Sequence, residues 1–106
     1  MKLWIDVVRP APEGYEFTAK SVNQAKAIIK NALSGPLWWE GEFVGIDTIS
    51  IDHDAGSYVS NGGDYIKLLD WLEEFYPNYP WQIHIHSMNP VGVENMRRIL
   101  RRNNWR

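Results

Sequence analysis

Short apolar runs alternate along this chain with segments of helical periodicity, and this alternation constrains the fold more than any other feature. The runs cover residues 3–8, 48–52 and 81–86, and a further weak strand is expected at 15–18. Apolar runs that are bounded by turn residues and separated by helices indicate a parallel sheet covered by helices. The sequence therefore predicts a single α/β domain over residues 1–106, a small three-layer sandwich with a parallel sheet.

Three segments have the periodicity and the end signals of amphipathic helices. The first can be capped by Ser21 and stops at Gly35-Pro36. The second carries its large apolar side chains on one stripe and ends at Pro77. The third begins after Asn89, a suitable cap, with a proline in the first turn, where its missing N–H costs nothing.

Composition excludes several classes of protein. The chain has no cysteine, so no disulfide framework can hold it together. It reaches Asp6 before a signal peptide's apolar core could form, and no apolar run is long enough to span a bilayer, so we expect a cytoplasmic protein without a membrane partner. The net charge of −2 argues against a long nucleic acid as partner, because such binding relies on lysine and arginine.

The charge is unevenly spread along the chain. Up to Ser87 there are six basic residues against twelve acidic ones, whereas from Met88 onward there are five arginines and Glu94 is the one acid. The last predicted helix is thus a basic element on an acidic body. Either its cations form a solvated face that complements the helix dipole, or they bind a phosphate-rich ligand or an acidic partner.

All three histidines are predicted to lie at the carboxyl ends of strands, where open α/β sheets bind ligands. His84 and His86 are two residues apart on one strand and therefore share a face, and His53 lies in Asp52-His53-Asp54 after another strand. Two imidazoles can act as general acid and base on a phosphoester, and Asp52 or Asp54 can fix the tautomer of a neighbouring ring. One alternative is that His84, which is deeper, or His86 is a hydrogen-bonded core histidine. Another is that Asp54 only stabilises a turn.

A phosphate site is predicted where the last strand passes into the third helix. Free N–H groups at a helix start attract anions, Ser87 adds a hydroxyl, and Gly92 would let a ligand approach the backbone closely. The alternative is that Ser87 and Asn89 only cap the helix. Asp6 and Asp52, at the ends of two strands, could hold a divalent metal, although their spacing does not require one.

These motifs together resemble the cyclic-phosphate processing receiver domain family. The resemblance rests on Asp6-x-x-Arg9-Pro10, on the aspartate–histidine–aspartate element, and on the HxHSxNPxG segment that runs from His84 to Gly92, and it spans nearly the whole chain. It implies a receiver-like, flavodoxin-like fold with histidines around the acidic pocket. It also implies the processing or sensing of phosphate-containing nucleotides, including cyclic phosphates, in bacteria and their phages.

Carried over residue by residue, the resemblance places Asp52 at the receiver's phosphoacceptor position and Asp6 at the acid of the first strand. It places Ser87 at the small hydroxyl residue after the fourth strand. Where the family has a second acid after the first strand, this chain has Val7, which weakens the case for a bound divalent metal. The receiver's lysine on a fifth strand has no counterpart here, so phosphorelay signalling is disfavoured.

The sequence thus predicts a phosphoesterase that acts on a small nucleotide or cyclic phosphate. His53 and His86 would be base and acid, and His84 and Asp52 would orient them. Arg9, Ser87, Asn89 and Gly92 would bind the phosphate. One alternative is a protein that binds a nucleotide signal without cleaving it, as a sponge in phage counter-defence. A second is a pseudo-receiver that binds a partner protein through its basic last helix.

Overall fold

The computed structural model describes residues 1–106 as six strands and three α-helices. The strands are β1 (Lys2–Ile5), β2 (Phe17–Ala19), β3 (Trp38–Trp39), β4 (Glu42–Phe43), β5 (Thr48–Ile51) and β6 (Gln82–Ile85). The helices are α1 (Val22–Leu33), α2 (Ile66–Phe75) and α3 (Pro90–Arg102), and a short 3-10 helix covers Gly56–Tyr58. All four strand segments and all three helices expected from the sequence are present.

The main sheet contains four parallel strands in the order β2-β1-β5-β6, which confirms the predicted α/β, receiver-like fold. β3 and β4 pair separately as a small antiparallel hairpin. β1 is shorter than expected and ends at Ile5, because Asp6 already belongs to a turn. Its Oδ1 accepts hydrogen bonds from the N–H groups of Val8, at 2.8 Å, and of Arg9, at 3.0 Å.

Side-chain caps set where two of the helices begin. The Ser21 hydroxyl accepts a hydrogen bond from the N–H of Gln24 at the start of α1, and the Gln24 side chain accepts one from the N–H of Lys20, the residue before the cap. Asn89 caps α3 in the same manner, through the N–H of Gly92. No helix of the structure combines the length and apolar character that crossing a membrane requires.

The two faces of the main sheet differ in polarity because side chains alternate along each strand. One face carries Leu3, Ile5, Ile49 and Ile51, which pack with the helices into one buried core. α2 lies between α1 and α3, so the three helices cover this face as a single layer. The opposite face, which a three-layer sandwich would cover with a second helical layer, is polar and partly open. We call it the polar face; it carries exposed Lys2, Thr18, Gln82 and His84 as well as Trp4 and Ser50.

Candidate functional site

The parallel register brings three of the predicted site residues to one edge of the sheet. Ile5, Ile51 and Ile85 lie side by side on β1, β5 and β6. Asp6, Asp52 and His86 follow them at the same level, so the polar side chains of three strand ends come together. This edge is where parallel sheets bind ligands.

His86 has both ring nitrogens engaged within the protein. Its Nδ1 lies 2.8 Å from the Ser50 hydroxyl, and its Nε2 lies 3.0 Å from Oδ2 of Asp6. The ring also stacks on Trp4, with 4.0 Å between centroids and 7° between planes. An ionised carboxylate can only accept, so Nε2 carries a proton, and in the neutral ring Nδ1 accepts the hydrogen bond from Ser50. His86 is therefore fixed in position on the polar face.

Asp6 is the buried anchor of this network. Its side chain is 1% exposed, and its two oxygens accept hydrogen bonds from Val8, Arg9 and His86. Burial alone would raise the pKa of Asp6, but the hydrogen bonds from the Arg9 and Val8 N–H groups and from the His86 ring together lower this pKa below its ordinary value. Asp6 is thus an ionised carboxylate that holds His86 and the turn after β1.

His53 has a different environment, because one of its ring nitrogens is free. Its Nδ1 lies 2.9 Å from Oδ1 of Asp54, while the nearest other polar atom, Nδ2 of Asn89, is 3.4 Å away. The Asn89 amide nitrogen is a donor, since its oxygen already accepts from Gly92, so the proton on Nδ1 points to Asp54. Nε2 makes no hydrogen bond in the chain and keeps its lone pair in the neutral ring. This is the arrangement of a general base.

The aspartate that orients His53 is Asp54, one of the two aspartates predicted to fix a ring's tautomer, and the orienting role predicted for Asp52 is not seen. Asp52 Oδ1 instead accepts the backbone N–H of His53, at 2.8 Å, and so shapes the turn that presents the ring. Asp54 therefore does more than stabilise a turn, because its carboxylate contacts the His53 imidazole. Successive side chains of a strand point to opposite faces, so the adjacent residues His53 and Asp54 can contact each other only because β5 has already ended at Ile51.

Gly92 makes room for the His53 ring. A Cβ atom added at Gly92 would lie closer to Cδ2, Cγ and Nε2 of His53 than van der Waals contact allows. The glycine was expected to let a ligand approach the backbone, but the imidazole occupies that space. His53 consequently packs against α3, on the helix side of the sheet, whereas His86 lies on the polar face. The two rings do not form the facing acid–base pair expected from the sequence.

Ser87 and Asn89 bond to the first turn of α3, as the capping alternative proposed. Ser87 Oγ accepts the N–H of Asn89, at 3.1 Å, and Asn89 Oδ1 accepts the N–H of Gly92, at 3.0 Å. These two N–H groups are therefore not free for an anion. The Ser87 hydroxyl hydrogen and the Asn89 amide N–H groups remain as donors at the same edge.

Arg9 and His84 occupy contrasting positions. The Arg9 guanidinium donates to the carbonyl oxygen of His86, at 3.1 Å, which places a cation beside the network. His84 is exposed on the polar face and makes no hydrogen bond through its ring. The alternative of a core histidine at position 84 is wrong, because no helix covers that part of the face. The histidine with both nitrogens satisfied is His86.

The acidic residues at this edge do not fit a resident divalent metal. Both carboxylate oxygens of Asp6, the first expected ligand, accept hydrogen bonds from N–H donors. A metal ligand would direct these oxygens at the cation. No group of three or more histidine, aspartate or glutamate side chains has an arrangement that could hold a metal ion. Asp52 lacks the partner ligands that the pairing with Asp6 was expected to provide.

Sequence reasoning missed two members of the site, Trp4 and Ser50. Ser50 interrupts an otherwise apolar strand and faces the same side as His84 and His86, which was a usable signal. The stacking of His86 on Trp4 depends on the side-chain rotamer of His86. The sequence pattern does not predict this rotamer.

Three of the four arginines of α3 form ion pairs with glutamates of this chain. Arg101 lies 2.7 Å from Glu94, which also lies 3.9 Å from Arg98, and Arg102 lies 2.7 Å from Glu73. The hydrogen bond from Arg102 is the leading cause that lowers the pKa of Glu73. These pairs support the interpretation of α3 as a solvated helix face.

Comparison with known proteins agrees with this geometry. Neither the curated proteins nor the solved structures include a match to the chain. One family model, described as the cyclic-phosphate processing receiver domain, matches residues 1–102. The match covers both the aspartate–histidine–aspartate turn and the histidine-bearing strand β6, together with the start of α3. The chain therefore belongs to the cyclic-phosphate processing receiver domain family.

Proposed function

We propose that this domain binds a small nucleotide phosphoester or cyclic phosphate at the carboxyl edge of the sheet and hydrolyses it. The observation that carries the proposal is the pairing of His53 with Asp54, at 2.9 Å, which leaves Nε2 of the ring unpartnered. A histidine with one nitrogen fixed by a carboxylate and the other free is suited to act as a general base. Membership of a cyclic-phosphate processing family supports the substrate class.

In the proposed reaction, His53 acts on water. Nε2 removes a proton from a water molecule as its oxygen attacks phosphorus, and the phosphorus–oxygen ester bond breaks. The departing oxygen takes a proton from solvent, which has access to this edge of the sheet. Asp54 keeps the proton on Nδ1 and stabilises the imidazolium that forms.

The phosphate would be bound by donors that surround this edge. Arg9 supplies a positive charge, and Ser87 and Asn89 supply a hydroxyl and an amide N–H that their capping bonds leave available. His86 is assigned a positioning role in place of the acid role expected from the sequence, because Ser50 and Asp6 already engage both of its nitrogens.

The proposal is tested by incubating the purified protein with a panel of cyclic mononucleotides and ADP-ribose derivatives and separating the products by chromatography. We expect conversion of at least one cyclic phosphate to the ring-opened monophosphate. Full recovery of every member of the panel unchanged, with and without added manganese, would contradict hydrolysis.

A second candidate function is binding without cleavage, as in a sponge for a nucleotide signal in phage counter-defence. It is favoured by a specific observation: His86, the residue expected to act as the acid, has both ring nitrogens engaged within the chain, so His53 has no histidine partner for acid–base catalysis. Calorimetry followed by heat denaturation separates the two functions. Tight binding with the ligand recovered intact supports the sponge, whereas an altered ligand supports the enzyme.

A further inference from the structure

We infer that the cleft between the ends of β1 and β2 is a binding site for the phosphate of a small phosphorylated ligand, held between Arg9 and Lys20. The inference rests on the proposed function for the class of ligand, and it does not require that the ligand be hydrolysed. Lys20 has no role in the site described above. The cleft lies on the other side of β1 from β5 and β6.

The cleft has the size and the lining of a small-molecule site. Its volume is about 380 Å³, within the range of pockets that bind small ligands. Val7, Val8, Pro10 and Ala11 line it with apolar atoms, and Thr18 adds a hydroxyl. A mixed lining of this kind binds a ligand that has both a charged group and a less polar part.

The charges in the cleft favour an anion. Lys20 has no carboxylate within 4.0 Å of its ammonium group, and the Arg9 guanidinium makes one hydrogen bond, to the carbonyl oxygen of His86. The one carboxylate in the lining, that of Asp6, is saturated by hydrogen bonds from the protein. Two cations without carboxylate partners line one cleft in a chain of net charge −2. A phosphate would neutralise both of them.

The backbone around Lys20 holds the residue in place while its side chain stays free. The N–H of Lys20 donates to the Gln24 side chain, and its carbonyl oxygen accepts from the hydroxyl of Tyr65, at 2.7 Å. The lysine is therefore anchored at the end of β2 through its main chain alone. Replacing its side chain removes the charge without removing either anchoring bond.

The cleft also contacts the network around His86. Trp4 and Asp6 line the cleft, and both contact the His86 ring. Arg9 lines the cleft and also contacts the carbonyl oxygen of His86 at the carboxyl edge of the sheet. A ligand phosphate between Arg9 and Lys20 would thus lie beside the network that fixes His86.

The test is an NMR titration of the amide signals at low ionic strength with inorganic phosphate, AMP and adenosine as probes. We expect phosphate and AMP to shift the signals of residues 8, 9, 11 and 18–20, with AMP binding more tightly because its nucleoside contacts the apolar lining. Adenosine alone should shift them little. Lys20→Ala and Arg9→Ala should each weaken binding of AMP about tenfold, the loss expected for one charge-assisted contact. Lys30→Ala, which removes an exposed lysine of α1 outside the cleft, should leave the affinity for AMP unchanged.

Three results would overturn the inference: no shifts with either anion, shifts confined to residues 87–91 at the start of α3, or unchanged AMP affinity in Lys20→Ala. Its failure can be distinguished from failure of the proposed function. Hydrolysis of a cyclic nucleotide with the same KM in Lys20→Ala as in the unaltered protein would reject phosphate binding in the cleft and support hydrolysis. Phosphate binding in the cleft without turnover of any cyclic nucleotide would support the cleft as a binding site and reject hydrolysis.

Discussion

His53→Ala should lower the turnover of a cyclic-phosphate substrate by at least about 100-fold, the lower end of what a positioned general base contributes. The reason is that His53 has one ring nitrogen held by Asp54 and the other without a partner in the chain. The measurement is the initial rate of ring opening at saturating substrate. His84→Ala is the matched control, because it removes an exposed imidazole without a ring hydrogen bond and should leave the rate unchanged.

A second variant tests the same ring without altering it. Gly92→Ala places a methyl group in the space of the His53 ring, which must then leave its position beside Asp54. We expect a loss of turnover close to that of His53→Ala. Gly35→Ala is the control, since a Cβ atom there meets nothing within 4 Å. A rate within about twofold of the unaltered protein in both His53→Ala and Gly92→Ala would rule out His53 as the base.

Asp6→Ala should destabilise the domain by about 3 kcal/mol, because it removes a buried carboxylate and leaves three partly buried donors without an acceptor. The donors are the N–H groups of Val8 and Arg9 and the Nε2–H of His86. For a domain of this size we expect a fall in Tm of roughly 10–20 °C. Glu13→Ala, an exposed carboxylate in the same connection between β1 and β2, should shift Tm by about 2 °C or less.

The contribution of Asp6 should also depend on pH in a defined direction. Its pKa in the folded chain lies below the ordinary value of 3.8, so the unfolded chain binds the proton more readily. The stability that the ionised Asp6 provides is complete above the unfolded pKa and is lost as pH falls through the folded pKa. The difference in the free energy of unfolding between the unaltered protein and Asp6→Ala should therefore be constant near neutral pH and shrink below about pH 4. A difference that grows on acidification would contradict this role.

Much of the fold could be predicted because local signals coincide with element ends. Ser21 and Asn89 cap helices through side-chain bonds that their sequence positions indicate, and the apolar runs become the strands of one parallel sheet. The arrangement of the helices as one layer could not be predicted from the sequence. The connection from β1 to β2 contains no helix, and the alternation of strands and helices does not indicate which face of the sheet each helix covers.

The candidate site could be located from the sequence, but the tasks of its residues could not be assigned. Strand ends brought Asp6, Asp52 and His86 to one edge, as the alternation predicts. Which histidine keeps a free nitrogen depends on side-chain contacts between residues distant in sequence, such as His86 with Ser50 and His53 with Gly92. Rotamers and the packing between elements decide such contacts.

The different roles of the two histidines are tested most directly by ring-nitrogen NMR of the histidine-labelled protein at a pH where the imidazoles are neutral. The structure predicts opposite tautomers: His53 protonated on Nδ1 towards Asp54, and His86 protonated on Nε2 towards Asp6. The Nε2 signal of His53 should be that of an unprotonated nitrogen. A proton on Nε2 of His53, or on Nδ1 of neutral His86, would contradict the assignment of His53 as base and of His86 as a positioning residue.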